Sequence, residues 1–259
     1  MTIADRQPRV PLANDFAPVR RAVVVGAGTM GAGIAAHLAN CGIEVTLLDR
    51  ATDGNGGNER TSLADAGIAR QLIGGGFMLP EFAARVTPGT VEDDLSACSD
   101  ADWIIEAVFE DPQVKHALYE QVDQVRRPGT LVSSNTSGIP VHELVRGHSE
   151  AFARDFTITH FFNPPRTMEL LEVVTGESTD PASHARVAAV GDRQLGKTVL
   201  QCRDTPGFIA NRLGSHWMAV AALEAFRAGL DVETADAVMS RPFGVPRTGV
   251  FGLFDLVGI

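Results

Sequence analysis

Apolar positions recur along this chain with two different periods. Short runs rich in β-branched residues occur at 21–25, 43–48, 103–108, 130–134, 157–162, 170–174 and 198–201. They lack polar alternation, as expected of strands buried on both faces. Between them the spacing becomes helical. Met30, Ile34, Leu38 and Cys41 share one face, and Gly42 follows as a stop. Ala64, Ile68 and Leu72 mark a weaker helix ending at the glycines 74–76. Asp111 and Pro112 supply an N-cap and a first-turn proline. The helix they open places Val114, Ala117, Leu118, Val122 and Val125 on its apolar face, with Lys115, Glu120 and Asp123 elsewhere. Asp180-Pro181 opens another helix to about Leu195. After 203 only helical spacing remains, over 208–228 and 231–239.

Strands alternating with helices, then helices alone, predict an α/β fold: a doubly wound, Rossmann-type domain followed by a smaller all-helical one. The expected division is a flexible leader over 1–19, the dinucleotide-binding domain over 20–203 and the helical domain over 204–259.

Composition narrows the function. The 259 residues carry 22 Lys and Arg against 32 Asp and Glu, a net charge of −10. An acidic chain repels nucleic acid and anionic lipid. No apolar run reaches the length of a membrane span, and the charged N-terminus has no secretory core. Cys41, Cys98 and Cys202 are far apart and odd in number, so reduced thiols and a cytoplasmic setting are expected. No His or Cys spacing suggests a metal.

The segment Gly26-Ala-Gly-Thr-Met-Gly31 stands between a strand and a helix. Gly26 permits the tight turn, Gly28 lets the backbone approach a pyrophosphate, and Gly31 lets the helix pack closely. The helix N-terminus then offers N–H groups and positive dipole to phosphates. Asp49 ends the next strand, placed to accept from ribose hydroxyls, and its charge would repel a 2′-phosphate, which favours NAD. A glycine-rich turn beside a surface Asp is the plainer reading. The strand–helix–strand context favours the cofactor.

A second constellation is His160-Phe-Phe-Asn-Pro-Pro165 with Glu172 downstream. If 157–162 and 170–174 are adjacent strands, His160 and Glu172 meet. Glu172 sits among Leu170, Leu171, Val173 and Val174, where an unpaired carboxylate would cost several kcal/mol. Paired with an imidazole, it forms a base with an orienting acid. Spacing alone leaves equally open a solvated His and an unrelated edge Glu.

Taken together, the stretches 23–49, IIEAVFED (104–111), SSNTSGIP (133–140), HFFNPPRTMELLEVV (160–174) and DTPGFIANR (204–212) resemble the 3-hydroxyacyl-CoA dehydrogenase family. The resemblance implies NAD-dependent oxidation of a 3-hydroxyacyl-CoA to a 3-oxoacyl-CoA, in fatty-acid β-oxidation or hydroxybutyryl-CoA metabolism. It implies His160 as base and Glu172 as its partner, with Ser137 and Asn211 as polar groups at the reacting oxygen. Asn163 would line the substrate pocket. Met30, Ala107, Glu110, Lys115 and Asn135 would join Gly26, Gly28, Gly31 and Asp49 around the cofactor. The implied partners are an acyl-CoA and either a second copy, through the C-terminal helices, or a continuation into a larger multifunctional chain. The family continues with more helices than these 259 residues hold, so the helical domain is expected to be incomplete. Pro165-Arg166 after the HFFNP block is similar to multifunctional fatty-acid oxidation proteins. Two rival functions remain: a dehydrogenase of free small hydroxyacids or sugar acids, which would turn over without CoA, and a non-catalytic NAD-binding module.

Overall fold

The computed structural model describes residues 17–53, 57–240, 242 and 248–257. Contacts divide the chain into two compact units, Met1–Pro206 and Gly207–Ile259.

The first unit is built on eight strands: β1 Arg21–Val25, β2 Glu44–Asp49, β3 Val86–Thr90, β4 Trp103–Glu106, β5 Leu131–Ser134, β6 Phe156–Phe161, β7 Leu170–Val174 and β8 Thr198–Cys202. They form one sheet in the order β3-β2-β1-β4-β5-β6-β7-β8. Every neighbouring pair is parallel except β6 and β7, which are antiparallel. The order 3-2-1-4-5-6 is that of a doubly wound dinucleotide fold, whose ligand crevice opens where the order reverses, beyond β1 and β4.

The helices of this unit are α1 Thr29–Asn40, α2 Gly57–Arg60, α3 Ser62–Ile73, α4 Val91–Asp94, α5 Pro112–Val125, α6 Val141–Leu144, α7 Glu150–Asp155 and α8 Pro181–Ala189. A wider π-type turn, Val190–Gln194, prolongs α8. Local chemistry sets their ends. The Asp111 carboxylate accepts from Gln113 N and Val114 N ahead of Pro112, and Asp180 accepts from Ala182 N ahead of Pro181. Ile34 and Leu38 of α1 pack with Val24, Trp103 and Ile105 in a continuous apolar core. Tyr119 of α5 instead meets Phe156 edge-on and bonds Glu106. In strands that alternate their faces these belong to the opposite side of the sheet.

Three of the differences from the sequence expectation have a plain physical reason. Strand β3 was not expected, because Pro88 and Gly89 interrupt its apolar pattern. It pairs only with β2 at the sheet edge, where a missing N–H is tolerated. Val19, within the segment expected to be a leader, is buried. Its N–H donates to Gln194 Oε1 at 2.9 Å, and its carbonyl accepts from Gln194 Nε2 at 2.7 Å. The first sixteen residues lie outside the described ones. In α3 the buried positions are Ala64 and Gly67, while Leu72 is exposed.

The second unit contains α9 Ala210–Arg227, α10 Val232–Val238 and α11 Phe251–Val257. Its small core joins Met218, Ala221 and Val250. Asp231 caps α10 through Thr234 N at 2.7 Å. No helix among the described residues is long and apolar enough to cross a membrane.

Candidate active site

The first turn of the site is shaped by glycines. Gly26 has φ +103°, and a Cβ there would meet Ala107 O at 2.4 Å. A Cβ on Gly31 would meet Gly26 O at 1.7 Å, so this position admits only glycine at the observed spacing. Gly28 is different: a Cβ there meets nothing within 4 Å, because the residue faces open space. Gly28 is also the N-cap of α1, whose first turn has no side-chain cap and no acid. Unclaimed N–H groups and the helix dipole therefore face the same space, a donor set suited to a pyrophosphate.

That space is a groove of 1060 Å³. Gly26, Gly28 and Met30 line it together with Asp49 and Arg50 toward one end and Asn135 and Ser137 toward the other. Ala107, Glu110 and Lys115 line it as well. It opens beyond β1 and β4, the predicted crevice. Asp49 Oδ2 accepts from Ala27 N at 2.6 Å and Oδ1 from Arg50 N at 2.8 Å, which fixes the carboxylate at the groove wall. The residues present thus fit a dinucleotide. Of the other basic residues near this loop, Arg70 donates to Ala27 O at 2.6 Å, and Arg60 pairs with Asp93.

Lys115 departs most from its sequence pattern. Expected on the solvated side of α5, it is 1% exposed, and its Nζ lies 2.6 Å from Glu106 Oε1 and 3.2 Å from Glu110 Oε2. Val114 and Ala117, expected to be buried, instead line the groove. Glu110 also accepts from Thr136 Oγ1 and from Ser137 N at 3.1 Å. Burial by itself would raise the Glu110 carboxyl. The Thr136 hydrogen bond, the Lys115 ammonium and the Ser137 N–H outweigh it and hold the group below the ordinary range.

His160 and Glu172 occupy paired register positions on β6 and β7. His160 Nδ1 lies 2.8 Å from Glu172 Oε2, with both residues buried. A carboxylate accepts, so Nδ1 carries the hydrogen and Nε2 is the basic nitrogen. Phe162 packs edge-on against the imidazole at 4.5 Å. His160 does not line the groove. It is joined to it one residue on, where Phe161 N donates to Asn135 Oδ1 at 2.9 Å.

The loop between β6 and β7 is anchored on two sides. Gly33 of α1 abuts Pro165 so closely that a Cβ would meet Pro165 Cδ at 2.9 Å. The buried Lys197 ammonium donates to Pro165 O at 2.5 Å and Met168 O at 2.7 Å. Asn163, on the same loop, is exposed, as is Ser137. Asn211 belongs to the second unit, in the first turn of α9. Among the described residues no group of three or more His, Cys, Asp or Glu is arranged for a metal.

Sequence reading overlooked Glu106, which accepts from Lys115, and Tyr119 and Ser134, which donate to Glu106. The signal was present: a lone acid within the apolar run Trp103-Ile-Ile-Glu106 poses the same problem as Glu172 in its strand.

The NAD binding domain of 3-hydroxyacyl-CoA dehydrogenases matches residues 21–205, and the C-terminal domain of that family matches 207–259. The chain belongs to the 3-hydroxyacyl-CoA dehydrogenase family. A probable 3-hydroxyacyl-CoA dehydrogenase of Deinococcus radiodurans is 40% identical over 243 residues, covering 93% of this chain and 70% of the relative. One from Bacillus subtilis is 38% identical over 255 residues, which is 93% of this chain but 32% of the relative. Among solved structures, FadB2 of M. tuberculosis superposes with a TM-score of 0.78 at 30% identity, over 93% of this chain and 83% of that one. The (S)-3-hydroxybutyryl-CoA dehydrogenase PaaH1 of Ralstonia eutropha gives 0.76 at 28%, over 92% and 82%. The groove thus lies in the NAD-binding domain of a 3-hydroxyacyl-CoA dehydrogenase family member.

Proposed function

We propose that this chain oxidises a 3-hydroxyacyl-CoA to a 3-oxoacyl-CoA with NAD, and runs the reverse reduction with NADH. The observation that supports it is the His160–Glu172 pair, joined through Phe161 and Asn135 to the groove beyond β1 and β4. Removing two hydrogens from a secondary alcohol requires a proton acceptor at oxygen and a hydride acceptor at carbon. Bound NAD supplies the second. His160 supplies the first through Nε2, and the buried Glu172 carboxylate holds the ring and stabilises its charged form. In the reverse direction the same nitrogen returns the proton. Ser137 and Asn163 are assigned to the substrate side; Glu110, Lys115 and Asn135 to the cofactor side.

The reading also takes a cytoplasmic setting, with which the odd number and wide separation of Cys41, Cys98 and Cys202 in the sequence agree. A second copy is assigned to the C-terminal helices, where Leu213 and Phe226 stand exposed on α9.

NADH consumption with acetoacetyl-CoA, set against free acetoacetate, tests the activity. Turnover that depends on the CoA thioester is expected. Equal rates with acetoacetate would replace this reading by a free-hydroxyacid dehydrogenase, and NADH binding without turnover by a binding module.

A further inference from the structure

Glu106 is not a groove residue, yet it is the most fully bonded side chain near the groove. Its Oε1 accepts from Val108 N at 2.7 Å and Lys115 Nζ at 2.6 Å. Its Oε2 accepts from Tyr119 Oη at 2.7 Å and Ser134 Oγ at 2.6 Å. Four donors match the acceptor capacity of one carboxylate, so Glu106 has nothing left to offer a ligand. The remaining capacity lies one layer out. Two of the three Lys115 ammonium hydrogens are directed to Glu106 and Glu110, and both Lys115 and Glu110 line the groove. Glu110 is bonded to Ser137 N, which places this pair toward the end of the groove away from Asp49.

A lysine stem is flexible, and a buried ammonium swings toward any acceptor within reach. Fixing it requires a partner that is itself immobile. Tyr119 meets that need for Glu106: its ring is 1% exposed and wedged against Phe152 and Phe156, so its hydroxyl has a defined position.

Resting on the reading of the groove as a dinucleotide site, we propose that Glu106 and Tyr119 are positioning residues for the cofactor. They hold the Lys115 ammonium beside the Glu110 carboxylate as a donor and acceptor for the ribose hydroxyls nearer the nicotinamide. A merely structural network would stabilise the fold without discriminating between the two ends of the groove.

Binding of NADH and of AMP, which reaches only the Asp49 end, separates these roles. The comparison uses the full chain and its E106Q and Y119F variants, with folding checked by circular dichroism. E106Q is expected to weaken NADH roughly tenfold or more while AMP stays within about twofold. Y119F, which keeps the ring, is expected to weaken NADH about threefold with AMP unchanged. Equal weakening of both ligands, or of neither, overturns the proposal. If E106Q does not fold, Y119F decides alone, and unchanged NADH affinity there overturns it. Wild-type chain that binds NADH but is inert with acetoacetyl-CoA removes the dehydrogenase reading and leaves this comparison intact. Wild-type chain that does not bind NADH removes both.

Discussion

His160 and Glu172 are direct partners across an antiparallel strand pair, and their side chains meet with Nδ1 2.8 Å from Oε2. The residues lie twelve apart in sequence, a separation that a short connection between antiparallel strands converts into contact. If this pair performs the proton transfer, His160→Gln should lower kcat roughly 10²–10⁴-fold and leave NADH affinity unchanged. Steady-state rates with acetoacetyl-CoA and a fluorescence titration with NADH measure the two quantities. Full activity in the variant would discard the assignment.

Glu172 acts through the imidazole, so its removal and that of His160 should not add. Glu172→Gln alone is expected to reduce kcat by at least tenfold, and the double variant to be no slower than His160→Gln. Independent, multiplying losses in the kinetic cycle would show that the carboxylate has a separate role.

The glycines of the loop should divide by what they touch. Gly31→Ala forces a Cβ onto Gly26 O and is expected to destabilise by roughly 1–3 kcal/mol. Gly28→Ala meets no protein atom, so its stability should stay within about 0.5 kcal/mol of wild type. NADH affinity should nevertheless fall tenfold or more, to about the extent of one lost backbone contact with a phosphate. Thermal unfolding and titration together read this contrast; unimpaired NADH binding by Gly28→Ala would contradict the placement of the phosphates.

Stability should carry an acid-side signature of His37. Burial first, and the Lys197 charge second, lower its pKa from 6.5 to about 4, against the raising effect of the Leu195 carbonyl. The folded state then disfavours the proton that the unfolded chain accepts. The contribution is complete above pH 6.5 and is lost as pH falls toward 4, by up to about 1.4 kcal/mol per pH unit. Denaturant melts of wild type and His37→Gln at pH 7, 6 and 5 check it. A stability difference that does not change over that range would refute the assignment.

Much of this was legible in the chain because burial is costly for polar groups. The strand–glycine loop–helix–strand unit follows from where glycines interrupt apolar runs, and the lone acid in the run 170–174 raised the His160–Glu172 contact as one of two readings that spacing left equally open. Residues whose environment is made by distant segments were not legible. Lys115 looks solvated on a helical wheel, since the carboxylates that bury it come from the end of β4 and the loop beyond it. Strand β3 is concealed by Pro88 because its pattern is that of an edge, and edge position is a property of the whole sheet. Val19 is held by a glutamine 175 positions away and by the apolar core that it joins.

The contact of Gly33 with Pro165 gives the reaction a fixed gauge. Helix α1, whose N-terminus faces the groove, rests at Gly33 directly on the Pro165 ring in the loop that leaves β6. On the proposed chemistry, this contact and the Lys197 bonds to the same loop would together set the distance from bound NAD to His160. Any bulk at position 33 would act as a shim, spacing the two halves of the chemistry while leaving each half intact.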